Sequence, residues 1–170
     1  MNGIAFVDLE VKIQPKTKNE YIDLYGAYSE DCPLNTHSLA TFEQFVAGAE
    51  YLCGHNIFRH DIPHLEKAGA SEALLKFAFI DTLYLSTLLF PSRPYHRLVK
   101  DYRLFSGHLN NPVEDSRLAA DLLADCMEAY HQLDKEMQTI FAALLYDQRE
   151  FLAFFSMLGH PAGSNEPITD

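Results

Sequence analysis

The segment GIAFVDLEV, residues 3–11, constrains this chain more than any other stretch. Its apolar residues alternate with period two, Ile4 and Phe6 against Ala5 and Val7, and predict a buried strand whose end carries Asp8 and Glu10 on one face. The two carboxylates therefore converge. Unpaired negative charge at the end of a core strand costs several kcal/mol unless a cation neutralises it, so the segment asks for a sheet to bury it and a divalent ion to balance it.

The polar turn QPKTKNE follows, and YIDLYGAYS, rich in Tyr and Ile, predicts a returning strand paired with the first. A short third strand is expected near Leu34 to Leu39. Thr41, with Gln44 three residues on, has the pattern of a capping box and predicts the start of a short helix. Tyr51 to Cys53 is a brief strand ending in Gly54, and DIPHLEKAGA a helix with Pro63 in its first turn and Gly69 near its end. KFAFID is a buried strand that stops at Asp81, and TLYLSTLLF continues as an apolar helix. Asn111, Pro112 and Glu114 have the order of an N-cap, a first helical position and a capping-box partner, with Leu118, Leu122, Cys126 and Tyr130 at helical spacing behind them. One more helix, from about Asp134 to Leu158, carries Ile140, Phe141, Leu144, Leu145, Phe151, Phe154 and Phe155, more aromatic surface than the closing helix of a small domain needs. It predicts either internal packing or a partner surface.

Strands first, then alternating helix and strand, then helices describe an α/β domain with a mixed central β-sheet flanked by helices and an extra C-terminal helix. Residues 1–133 are expected to form the domain, 134–158 its helical extension and 159–170 a flexible tail or linker. At 170 residues, 48% hydrophobic, with 12 Phe and 9 Tyr, the chain can bury one sizeable core. Cys32, Cys53 and Cys126 are odd in number and form no CxxC pair, which argues against a disulfide framework or a zinc knuckle and for a reducing, cytoplasmic setting. No apolar stretch reaches the roughly 18 residues a membrane span needs, and no signal-peptide pattern follows Met1, so a soluble protein with no membrane partner is expected. The formal charge of -11 opposes contact with nucleic acid, whose phosphates are bound through Lys and Arg. Positive charge is concentrated in two places, Lys12, Lys16 and Lys18 in the first turn and SRPYHRLVKDYR with Arg93, His96, Arg97, Lys100 and Arg103.

Three motifs in order carry a resemblance: FVDLEV, GHNIFRHDIPHL and NNPVEDSRLAADLL. Over about residues 3–130 the chain resembles the DEDD superfamily of 3'-5' exonucleases. It is most similar to the exonuclease-like N-terminal domain of some bacterial RecQ-type helicases, in which LLFP, a PYH-containing stretch and LNNP recur before the last acid. The resemblance implies a ribonuclease-H-like fold and four acidic metal ligands, Asp8, Glu10, Asp61 and Asp115. Two Mg²⁺ or Mn²⁺ ions would hydrolyse phosphodiester bonds at nucleic-acid 3' ends, one activating water and one stabilising the leaving oxygen. Oxygen ligands suit these hard cations rather than zinc.

Asn56 would offer its amide to the site, and Arg93, His96, Arg97, Lys100 and Arg103 would grip a single strand, DNA before RNA, beside a helicase domain in the same polypeptide. Related exonucleases place a His five residues before the last acid, or a Tyr four before it. Here Asn110 and Asn111 occupy those positions, and an amide cannot accept a proton at neutral pH. His108 in the adjacent loop is the candidate substitute. Loss of a general base costs about 10²- to 10⁴-fold, which leaves open a second expectation, a weak or inactive module that binds nucleic acid or positions a helicase without cutting.

Overall fold

The computed structural model describes residues 3–96, 98 and 111–160. Arg97, Lys100, Arg103, His108 and Asn110 lie outside the described residues, as does the stretch 161–170. Five strands, β1 (Ile4–Ile13), β2 (Glu20–Ser29), β3 (Cys32–Thr36), β4 (Tyr51–Gly54) and β5 (Ala78–Asp81), form one sheet in the order β3-β2-β1-β4-β5. β1, β2 and β3 pair antiparallel, as tight connections allow. β4 and β5 run parallel to β1 and are reached through α1 (Leu39–Val46) and through α2 (Asp61–Lys67) with α3 (Glu72–Leu75). α4 (Thr82–Leu89), α5 (Pro112–Gln132), α6 (Lys135–Leu145) and α7 (Arg149–Met157) complete the described chain. The α/β class with a mixed sheet between helices is as the sequence led us to expect. No helix of the described residues is long and apolar enough to cross a membrane.

The period-two pattern of β1 sorts the core into two layers. Ile4 and Phe6 pack with Ile80, Leu85, Leu123, Tyr130, Phe154 and Phe155, under α4 to α7. Ala5, Val7 and Leu9 pack on the other face with Phe42, Val46, Ile62 and Leu65, over α1 and α2. Asp8 and Glu10 continue the first set, so the same alternation that buries Phe6 aims both carboxylates at the α5 layer. Pairing of β1 with β4 ends at Phe6 and Cys53, so both acids stand past the carboxyl end of β4. Sites in sheets with parallel strands form at such ends. A bulge between Glu10 and Val11 leaves Asp23 as an extra residue of β2, and it forms an ion pair with Lys12, 2.6 Å.

Several boundaries differ from expectation. The third strand spans Cys32–Thr36, and Leu39 already belongs to α1. Ser38, not Thr41, caps α1, because its extended backbone lets the hydroxyl accept from the Thr41 N–H at 3.3 Å. The closing helix is two helices. Asp134 caps α6 by accepting from the Met137 N–H, and the chain turns at Tyr146–Gln148 before α7. A straight helix of that length could not lay both halves on one core, whereas the turn puts Ala142 of α6 and Ala153, Phe154 and Phe155 of α7 in the same cluster. The aromatic excess is thus consumed internally, with the Tyr130 ring 5.7 Å from Phe154 and 5.8 Å from Phe155. His160 is not loose tail: it meets the Tyr130 hydroxyl at 3.0 Å.

Candidate metal centre

α5 begins where its sequence predicts. Asn111 caps it, its Oδ1 accepting from the Val113 N–H at 3.2 Å, and Pro112 opens the first turn. Asp115 follows on that turn, facing the end of β1. Carboxylate oxygens of Asp8, Glu10 and Asp115 lie within 4.8 Å of one another, and all three residues are half-buried. Three negative groups at that spacing repel strongly unless a cation sits among them.

Gly26 makes this approach possible. It pairs with Asp8 across β1 and β2, and a Cβ at Gly26 would stand 2.5 Å from the carbonyl carbon and the Cβ of Pro112 and 2.8 Å from the Val113 nitrogen. The start of α5 therefore rests directly on β2. A second tie comes from Asn35 on β3, whose Nδ2 donates to Asn111 Oδ1 at 3.2 Å. Gly26→Ala is expected to push the first turn of α5 outward and to weaken Mn²⁺ binding about 10- to 100-fold, the range usual for groups that position ligands. Overpacking should also cost roughly 1–3 kcal/mol. Calorimetric titration with Mn²⁺ alongside a thermal melt checks this, and unchanged affinity would mean that α5 can lift without carrying Asp115 away.

Asp61 occupies the first position of α2, with His60 as the N-cap, and is 1% exposed. It is not an N-cap aspartate of the ordinary kind. Neither of its carboxylate oxygens has a hydrogen-bond partner of normal geometry among the described residues. Burial pushes its pKa well above the usual carboxylate range, the charge of Asp8 pushes it further, and backbone groups at Asp61 and Leu9 offset only part of this. Asp61 is not in the 4.8 Å set, yet it shares an electrostatic environment with Asp8. A buried carboxyl with unmet acceptors beside a cluster of three more is the donor chemistry that a hard divalent cation satisfies, and the residues present fit Mg²⁺ or Mn²⁺.

Gly54 behaves as the second motif suggests: a Cβ there would be 3.0 Å from the Val7 carbonyl oxygen and 3.1 Å from Ile57 Cδ1. Asn56 adopts φ 65°, a conformation Asn tolerates better than most residues. Its backbone holds the loop, with the N–H donating to Asp81 Oδ1 at 2.8 Å and the carbonyl accepting from the His60 N–H at 2.9 Å.

Sequence reasoning passed over Asp81, which is fully buried. Besides Asn56 it accepts from the N–H groups of Phe58, 3.3 Å, and Leu83, 2.9 Å. It thereby ties the loop before Asp61 to the start of α4. Burial raises its pKa, and these donors pull it back. Its position as the last polar residue of an apolar strand was the available signal. His55 also went unnoticed. Its Nδ1 lies 3.0 Å from Thr82 Oγ1, burial lowers its pKa, and the charge of Asp115 acts in the opposite direction.

Of the cationic residues expected to grip a strand, two are described. The His96 ring meets the Ser86 hydroxyl at 2.8 Å, and its backbone lies against His55. Arg93 stacks on Phe90, 3.9 Å from the ring centre, and its charge reaches Cys126. Cys126 lies eleven residues along α5 from Asp115, about 16 Å at the helical rise. No protein-family model, no curated protein and no solved structure matches this chain.

Proposed function

We propose that this chain is a metal-dependent 3'-5' exonuclease of the DEDD type on a ribonuclease-H-like fold, hydrolysing phosphodiester bonds at single-stranded nucleic-acid 3' ends, with DNA the first substrate to test. One observation carries the reading: Asp8 and Glu10 on β1 and Asp115 on α5 bring their oxygens within 4.8 Å, and the charge of Asp8 acts on the buried Asp61. The antiparallel β1 to β3 followed by parallel β4 and β5 supports the fold assignment.

Asp8, Glu10, Asp61 and Asp115 would hold two Mg²⁺ or Mn²⁺ ions, which when bound supply Lewis acidity at the phosphate and acidify water. The protein's own work is positional. Half-buried Asp8, Glu10 and Asp115 would be reachable by an incoming phosphate, while Asp61 is buried away from solvent in a segment whose Ile57, Ile62 and Leu65 belong to the apolar core.

Asn111 does not supply a base. Its Oδ1 is taken by the Val113 N–H and by Asn35 Nδ2, and an amide has no proton affinity at neutral pH. Unless His108, outside the described residues, takes that role, turnover should be about 10²- to 10⁴-fold slower than with a base. That same observation favours a second reading, a binding module that does not cut. The experiment is incubation with 5'-labelled single-stranded DNA and RNA in Mn²⁺, with a chelator control. A ladder of 3'-shortened products that chelation abolishes supports the exonuclease. Retained binding without products selects the module, and neither result ends both.

A further inference from the structure

On a chain of net charge -11, two arginines lie over aromatic rings on neighbouring elements. The Arg59 guanidinium stands 5.9 Å from the ring centre of Tyr84, and that of Arg149 stands 4.9 Å from the ring centre of Phe58. Tyr84 in turn meets Phe151 edge-on at 6.1 Å, and Phe58 meets Phe79 at 6.3 Å. Both arginines are exposed and the rings of Phe58 and Tyr84 are half-buried. A groove of about 370 Å³ runs between Phe58, Arg149 and the edge of β5 and is floored by Phe79 and Ala153.

Position links this surface to the carboxylates. Phe58 and Arg59 belong to the loop that Asp81 ties down just before Asp61, and Tyr84 stands on the first turn of the helix that Asp81 caps. The strip therefore starts at the strand ends where the acidic cluster lies and runs across β5 to α7. Among the described residues no carboxylate forms an ion pair with Arg59 or Arg149, although Asp147 and Glu150 flank the latter in sequence. Lys76, also in the groove wall, is engaged by Glu72. Arg149 opens α7, where a cation opposes the helix dipole, so helix stability does not account for it. Charge that no described carboxylate pairs and that the helix does not need, interleaved with rings, is complementary to a flexible polyanion whose bases have faces to stack: single strands are held by this combination of cations and aromatic platforms.

We infer that the Arg59–Tyr84 and Phe58–Arg149 pairs form the track along which a single-stranded nucleic acid lies as its 3' end enters the acidic cluster. The inference rests on the exonuclease reading for its direction but is tested by binding alone. The measurement is fluorescence anisotropy of a labelled twelve-nucleotide oligothymidylate, in chelator so that nothing is cut, with wild type, Arg59→Glu/Arg149→Glu and Asp8→Ala. Binding by wild type, weakened tenfold or more in the double variant and with a log–log salt slope reduced by about 1.4, two phosphate contacts at roughly 0.7 each, is the expected result. Asp8→Ala should bind at least as well as wild type. Failure of the exonuclease reading would show in a separate assay, as absence of Mn²⁺-dependent products, with this binding intact. Both arginines are exposed, and circular dichroism verifies the fold; should the double reversal not fold, Arg59→Gln and Arg149→Gln are each expected to weaken binding severalfold. Equal affinity in wild type and the arginine variants overturns the inference, as does a wild type that takes no oligonucleotide; uptake of a peptide on this groove in its place would assign the surface to a protein partner.

Discussion

Asp8→Ala is expected to lower Mn²⁺-dependent release of 3'-terminal nucleotides by at least about 10³-fold, roughly 4 kcal/mol of transition-state stabilisation. Asp8 belongs to the set of oxygens within 4.8 Å and is also the carboxylate whose charge acts on Asp61. On the proposed reading its removal takes a ligand from the cluster and also relieves its repulsion of Asp61. Activity and metal-free stability should therefore move in opposite directions, as they do where a fold carries strain for function. Rates from end-labelled substrate and melts in chelator, followed by circular dichroism because the chain has no Trp, check both halves. Cleavage at the wild-type rate would remove Asp8 from the site.

Asp61→Asn is expected to raise metal-free stability at pH 8, to flatten its pH dependence, and to weaken Mn²⁺ binding. The sign follows from burial. The folded-state pKa of Asp61 is raised above an unfolded value of about 3.9. Between those two values the folded protein keeps a proton that the unfolded chain has released. Wild-type stability in chelator should then fall as pH rises through that window and recover as pH drops back towards 4. Asparagine carries no charge to desolvate, although its own unmet hydrogen bonds limit the gain. Added Mn²⁺ should reverse the order of the two proteins, since ion at about 100 times its dissociation constant stabilises the folded wild type by roughly 2.7 kcal/mol. A wild type whose chelated stability is level from pH 4 to 8 would show that Asp61 is not strained, and a variant that binds Mn²⁺ as tightly would show that it is not a ligand.

Much of the scaffold was legible because it is written in local patterns. The alternation of β1, the cap at Asn111 with Pro112 behind it, and the stop of β5 at Asp81 depend on neighbours close in sequence, and the structure has them within a residue or two. The continuous closing helix was misread for the complementary reason. Nothing local in Tyr146–Gln148 breaks a helix; the turn exists because Ala142 and Phe154 must reach one core. Gly26 and Asp81 were overlooked likewise, as each matters through partners far along the chain, Pro112 in one case and Asn56 in the other.

The sequence by itself determined that two carboxylates would share a face at the end of a buried strand, since side-chain direction in a strand follows from backbone geometry alone. Only the tertiary structure decided which distant acid joins them and which is sealed away unpartnered. That depended on how closely α5 could settle onto β2 at Gly26 and on what packed around Asp61. Both are outcomes of volume and packing among residues many positions apart, which no local pattern encodes.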